Sequence, residues 1–126
     1  CRKLTSIGDM SNVRTIGESA FSSCNALTSI GSLPNVRTIG NYAFSGCKTL
    51  TSLDEMPMLD SIGSSAFESC SKLTSLDGMP MLDSIDTGAF AYCTTLTNVE
   101  ILANVTTLGS HTFYGCKSLK TIGDLS

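Results

Sequence analysis

The 126-residue chain contains no tryptophan, a single histidine, three prolines and no basic run longer than Arg2-Lys3. Nucleic-acid binding draws on clustered Lys and Arg for counterion release and on aromatic faces for stacking, so this composition argues against such partners. No apolar run approaches the roughly 20 residues of a membrane-spanning helix, and no charged-then-apolar leader opens the sequence. Cys-x-x-Cys pairs are missing, which removes the close ligand spacing of zinc sites. Neither an Asp-x-Asp-x-Asp loop nor a Gly-Gly-x-Gly-x-Asp repeat occurs, so calcium lacks its usual cage. With His111 as the lone general base, and in a surface-turn slot held elsewhere by Ser19, Tyr42, Ser65 and Gly88, no catalytic triad or acid/base pair can be assembled, and no enzyme is assigned.

What is present is a repeat. The cysteines stand at 1, 24, 47, 70, 93 and 116 and the phenylalanines at 21, 44, 67, 90 and 113, both series advancing by 23 residues without a slip. A fixed period of this length is the signature of a solenoid. The units are 1–23, 24–46, 47–69, 70–92 and 93–115, with 116–126 a partial sixth, and they read as a single domain of about five and a half coils. The chain starts at an in-phase Cys and stops mid-unit, so both ends are expected to be cut from a longer protein and to lack the polar caps that solenoids need.

Each unit predicts two short strands. The first is Leu4-Thr5-Ser6-Ile7 with copies at Leu27–Ile30, Leu50–Leu53, Leu73–Leu76, Leu96–Val99 and Leu119–Ile122. The second is Val13-Arg14-Thr15-Ile16 with copies at Val36–Ile39, Leu59–Ile62, Leu82–Ile85 and Val105–Leu108. β-Branched residues suit a pleated surface. Pro34, Pro57 and Pro80 separate the two strands, and Gly17, Gly40, Gly63 and Gly109 follow the second, read as turns that need positive φ. The Ala-Phe-x-x-Cys stretch then makes a short helical or 3₁₀ turn with Phe21, Phe44, Phe67, Phe90 and Phe113 inward. Stacked at ~4.8 Å, Cys24, Cys47, Cys70 and Cys93 are expected to form a ladder of buried thiols. One or more disulfides are the alternative, disfavoured because parallel Cβ vectors do not suit the disulfide torsion.

The run Cys-x-x-Leu-Thr-Ser-Ile…Pro-x-Val-x-x-Ile-Gly-x-x-Ala-Phe-x-x-Cys resembles the BspA-like (Treponema pallidum type) leucine-rich repeat, over essentially all of residues 1–126. The resemblance implies a right-handed solenoid with a continuous parallel sheet on its concave side, and a cell-surface or secreted, non-enzymatic protein acting in adhesion. One departure stands out: two residues after the first-strand Ile the family carries an apolar residue, whereas this chain has Asp9, Ser32, Glu55, Gly78 and Asp124, with only Ile101 conforming.

The expected binding surface is the outward first-strand row, a carpet of Thr28, Ser29, Thr51, Ser52, Thr74, Ser75, Thr97 and Asn98 beside the acidic ladder Asp54, Asp77 and Glu100, which would meet a protein or glycan on a cell surface or matrix. No cofactor is implied. Asn104-Val105-Thr106 is a glycosylation sequon, of consequence only in a eukaryotic secreted chain. Charge is uneven: residues 1–47 carry Arg2, Lys3, Arg14 and Arg37 against Asp9 and Glu18, while residues 48–126 hold four lysines against nine acids. One second-strand row runs Arg14, Arg37, Asp60, Asp83, basic toward one end and acidic toward the other. The alternative function is therefore structural, a subunit that stacks head to tail into an extracellular filament.

Overall fold

The computed structural model describes residues 3–8, 10–31, 33–53, 55–76, 78–99 and 104–119. Seven two-residue strands occur in chain order: β1 (Thr15–Ile16), β2 (Thr38–Ile39), β3 (Ser61–Ile62), β4 (Ser75–Leu76), β5 (Ser84–Ile85), β6 (Asn98–Val99) and β7 (Thr107–Leu108). β1, β2, β3, β5 and β7 form one parallel sheet, and β4 pairs with β6 in a second. Every partner lies 23 residues away, as in Thr15↔Thr38, Ile39↔Ile62 and Ser84↔Thr107. The repeat period is thus the sheet register, and each coil buries its apolar edge only against its neighbours.

The continuous sheet is built from the second strand of each unit. Its ladder is tight: Arg37 N–H donates to Arg14 O at 2.8 Å, Asp60 N–H to Arg37 O at 2.9 Å, and Gly40, Gly63 and Gly109 N–H to Ile16, Ile39 and Ile85 O at 2.7–2.8 Å. The first-strand segments behave differently. Among the described residues only those of the fourth and fifth units pair as strands, and the bonds between segments include Thr51 N–H to Thr28 O at 3.3 Å. The prediction of two strands in every unit is therefore met on one flank and only partly on the other.

Gly17, Gly40, Gly63 and Gly109 do not occupy positive φ, which corrects the turn argument made for them. Their role is clearance between coils. A Cβ at Gly40 would stand 2.8 Å from Glu18 N and one at Gly63 2.7 Å from Asn41 N, and one at Gly109 would strike Thr87 N, whereas at Gly17 nothing lies within 4 Å. The glycine lets one backbone settle onto the coil before it. Positive φ falls instead two residues later, at Ser19, Tyr42, Ser65, Gly88 and His111, and again just before the next Cys, at Ser23, Gly46, Ser69, Tyr92 and Gly115.

Between these points the Ala-Phe stretch is a chain of turns closed by bonds from residue i to i−3, such as Ala43 N–H to Gly40 O and Cys47 N–H to Phe44 O. It locks to the coil that follows, through Phe44 N–H to Ala66 O and Phe67 N–H to Ala89 O, both 2.7 Å. The prolines open tight turns: Leu59 N–H reaches Met56 O across Pro57, and Leu82 N–H reaches Met79 O across Pro80, with the ring fixing φ at the second turn position.

Phe44, Phe67 and Phe90 are fully buried. Their rings stack nearly parallel at 5.2–5.3 Å, extended by Phe21 at 5.2 Å and Phe113 at 5.9 Å. Around this column pack Cys24, Cys47, Cys70 and Cys93 with the repeated Leu, Ile and Met side chains. Thr112 takes the slot of Ala43, Ala66 and Ala89, and stays buried because its hydroxyl donates to Gly109 O at 2.6 Å. Among the described residues no buried side-chain nitrogen or oxygen is left without a partner.

Candidate functional site

The thiols form the expected ladder. Cys24, Cys47, Cys70, Cys93 and Cys116 are all free, and Cys47, Cys70, Cys93 and Cys116 donate to the carbonyls of Phe21, Phe44, Phe67 and Phe90 at 3.1–3.3 Å. Burial pushes the Cys47 thiol up to about 11, and raises those of Cys70, Cys93 and Cys116 as well. Such thiols are neutral packing groups, since nucleophilic and metal-binding chemistry needs the thiolate. Among the described residues no group of three or more His, Cys, Asp or Glu is placed to hold a metal ion.

The predicted binding row lies on the first-strand flank, away from the continuous sheet. Thr28, Thr51, Thr74, Thr97, Ser52 and Asn98 are exposed and Ser29 and Ser75 half-buried. Its threonine hydroxyls turn inward along the stack: Thr28 Oγ1 donates to Thr5 O at 3.5 Å, Thr51 to Thr28 O at 3.4 Å and Thr97 to Thr74 O at 3.2 Å. The Thr28, Thr51 and Thr97 hydroxyls thus have partners within the fold. The acidic ladder of Asp54, Asp77 and Glu100 lies outside the described residues. Asn104 is exposed, with its amide donating to Pro80 O at 3.3 Å. His111 sits in an exposed turn at φ 58°, its ring 5.5 Å from that of Tyr114.

The sheet of second strands carries a feature that the sequence reading passed over. A groove of about 320 Å³ runs along it, lined by Thr38, Ser61, Ser84 and Thr107, by the second-strand residues Ile39, Ile62 and Ile85, by Gly40, Gly63 and Gly109, and by Asn41 and Asp86, with a mostly apolar surface. Asp86, standing where the other units have glycine, adds a carboxylate whose Oδ1 accepts Thr87 N–H at 2.7 Å. Arg14, Arg37, Asp60 and Asp83 flank the hydroxyl row, each one residue before it and all exposed. The signal in the sequence was the constant Thr or Ser before each second-strand Ile or Leu, as regular as the first-strand carpet.

Comparison with known proteins agrees with this architecture. A BspA type leucine rich repeat region matches in six copies over residues 1–121. A leucine-rich repeat protein of T. pallidum superposes with a TM-score of 0.81 at 32% identity, over 85% of this chain and 50% of that one. One from Bacteroides ovatus ATCC 8483 superposes with a TM-score of 0.87 at 39% identity, over 95% and 31%. A leucine-rich cell surface protein of Faecalibacterium prausnitzii A2-165 gives 0.52 at 25% identity, over 86% and 42%. No curated protein sequence matches. The chain therefore spans half or less of these solved relatives. Taken with the 23-residue register and the Phe and Cys columns, the match shows that the chain belongs to the BspA-type leucine-rich repeat family.

Proposed function

We propose that this segment is a non-enzymatic binding module of a cell-surface or secreted protein, and that it holds a partner protein, in adhesion, along the groove of the second-strand sheet. The observation that carries the reading is the groove itself, a trough along the sheet lined by small hydroxyl residues, glycines and isoleucines. Its strands are bonded to one another at every step, so an extended segment laid along the stack meets a pre-organised surface and orders little protein on binding. The likeness to a cell surface protein of F. prausnitzii supports the location. Among the described residues no helix is long and apolar enough to cross a membrane.

In this reading the contact falls on Thr38, Ser61, Ser84 and Asp86 rather than on the first-strand row, where the Thr28, Thr51 and Thr97 hydroxyls already donate along the stack. The test is a pull-down and affinity measurement against extracellular-matrix and cell-surface proteins, with glycans as a parallel set. Ser84→Tyr fills the groove and is expected to abolish capture, while Thr51→Tyr on the other flank leaves it intact. Loss with Thr51→Tyr alone moves the site back to the first-strand row, and capture of glycans alone replaces the partner class.

A further inference from the structure

The row Arg14, Arg37, Asp60, Asp83 is costly within one molecule. The four residues are joined by successive main-chain bonds, Arg37 N–H to Arg14 O, Asp60 N–H to Arg37 O and Asp83 N–H to Asp60 O, all 2.8–2.9 Å. Their side chains therefore leave the sheet at a spacing of ~4.8 Å and span roughly 14 Å. Like charges on adjacent strands repel. In this order Arg14 sits beside Arg37 and Asp60 beside Asp83, and only the central step brings opposite charges together. An alternating order of the same residues would have made every step favourable.

The block order has one compensating property. Reversed end for end, it becomes its own charge complement. A second stripe laid antiparallel sets Arg14 against the partner's Asp83 and Arg37 against the partner's Asp60, and the two-fold axis repeats both contacts. All eight charges then face an opposite charge. The stripe is exposed throughout, and one oxygen of Asp83 is held by the Thr106 hydroxyl, which fixes the carboxylate's aim.

We infer that the second-strand flank is a self-association surface on which two copies of this chain pair side by side and antiparallel through the Arg14–Arg37–Asp60–Asp83 stripe. Such a contact is isologous and closes at two copies, unlike head-to-tail stacking, which grows without limit. Exposed ion pairs contribute modestly and are screened by salt, so the dimer is weak, and the stripe sets its direction and register more than its affinity. The inference is independent of what fills the groove.

Sedimentation velocity over a concentration series at low and high salt reads the association directly. The wild-type chain is expected to move from monomer to dimer with concentration, and to revert when ~0.5 M NaCl is added. The variant R14D/R37D, whose stripe is wholly acidic, is expected to remain monomeric, with circular dichroism confirming its fold. The decisive variant is the full exchange R14D/R37D/D60R/D83R. It restores antiparallel complementarity, so it is expected to dimerise with itself as the wild type does. Against wild type the same geometry sets like charge on like, so fluorescently labelled mixtures are expected to show self-pairs and no mixed pairs. A wild type that stays monomeric at all concentrations, rods that lengthen with concentration, or free mixing of wild type with the exchanged variant would each overturn the inference.

Discussion

The two strand-bearing flanks of each coil have nearly the same composition and different fates. On the second-strand flank, consecutive Val/Leu-x-Thr/Ser-Ile segments zip into a sheet whose amide bonds onto Ile16, Ile39, Ile62 and Ile85 measure 2.7–2.9 Å. On the first-strand flank, Leu-Thr-Ser-Ile segments of equal β-propensity are joined, among the described residues, by amide bonds of 3.3–3.4 Å from Thr28, Thr51 and Thr74, and by one of 2.9 Å from Thr97, where β4 meets β6. Propensity does not separate them. Clearance contributes at three coils: Gly40, Gly63 and Gly109 each leave out a Cβ that would strike the preceding coil, while in the fourth unit Asp86 stands in that slot and its N–H still donates to Ile62 O at 2.9 Å. The sheet and the Ala-Phe corner are thus the fastened sides of the coil, and the first-strand flank the loose one.

The harshest way to break this contrast is at the Phe column that both fastened sides share. Phe67→Ala removes a fully buried ring stacked on two others and is expected to cost about 3–5 kcal/mol in urea unfolding. Phe21, half-buried at the edge of the column, should cost clearly less when truncated. If the two cost the same, the column is not what couples the coils.

The clearance argument has an internal control, because the same slot is crowded at one coil and open at another. Gly63→Ala drives a Cβ into Asn41 and is expected to destabilise by roughly 1–3 kcal/mol, while Gly17→Ala, with nothing within 4 Å, should stay within about 0.5 kcal/mol of wild type. Thermal melts of the pair decide it. Equal effects would return the glycines to a purely conformational role.

The thiol ladder gives a prediction in pH. Burial raises the thiols of Cys47, to about 11, and of Cys70 and Cys93. Unfolding exposes them to ionise near 8.5. Between those values the folded chain holds protons that the unfolded chain has lost, so stability is steady below about pH 8 and falls as pH rises toward 11. The melting temperature should follow that course, and Cys70→Ala should flatten the decline even if it lowers the plateau. Cys47 and Cys70 should also resist a thiol reagent until the chain unfolds.

Smaller in size is the effect of backbone relief. Ser65 and Ser69 hold φ of 54° and 61°, where a side chain costs about 1 kcal/mol, and glycine fills the matching slots at Gly88 and Gly46. Ser65→Gly is expected to stabilise by up to about 0.5 kcal/mol after the entropy of the unfolded chain is set against the relief. A loss of stability there would mean that the Ser65 side chain makes a contact worth more than the strain.

Much of the fold was legible because a 23-residue period makes every equivalent position a stacking neighbour: Phe21 to Phe113, the cysteine column and the register of Thr15 on Thr38 all follow from counting. What resisted reading depends on ångström-scale fit between coils. Nothing in Leu50-Thr51-Ser52-Leu53 and Leu59-Asp60-Ser61-Ile62 says which will find a partner at bonding distance. The positive φ of Tyr42 and His111 was hidden for a similar reason, since their side chains give no sign of it and only Gly88 in the same slot hints at it.

Native-state hydrogen exchange tests the central contrast most directly. The amides of Phe44, Asp60 and Gly63 on the fastened sides should exchange only with global unfolding, and those of Thr51 and Thr74 through a smaller local opening of the first-strand flank. Equal protection on both flanks would contradict the account, and would mean that the coil is fastened as firmly at Thr51 as at Gly63.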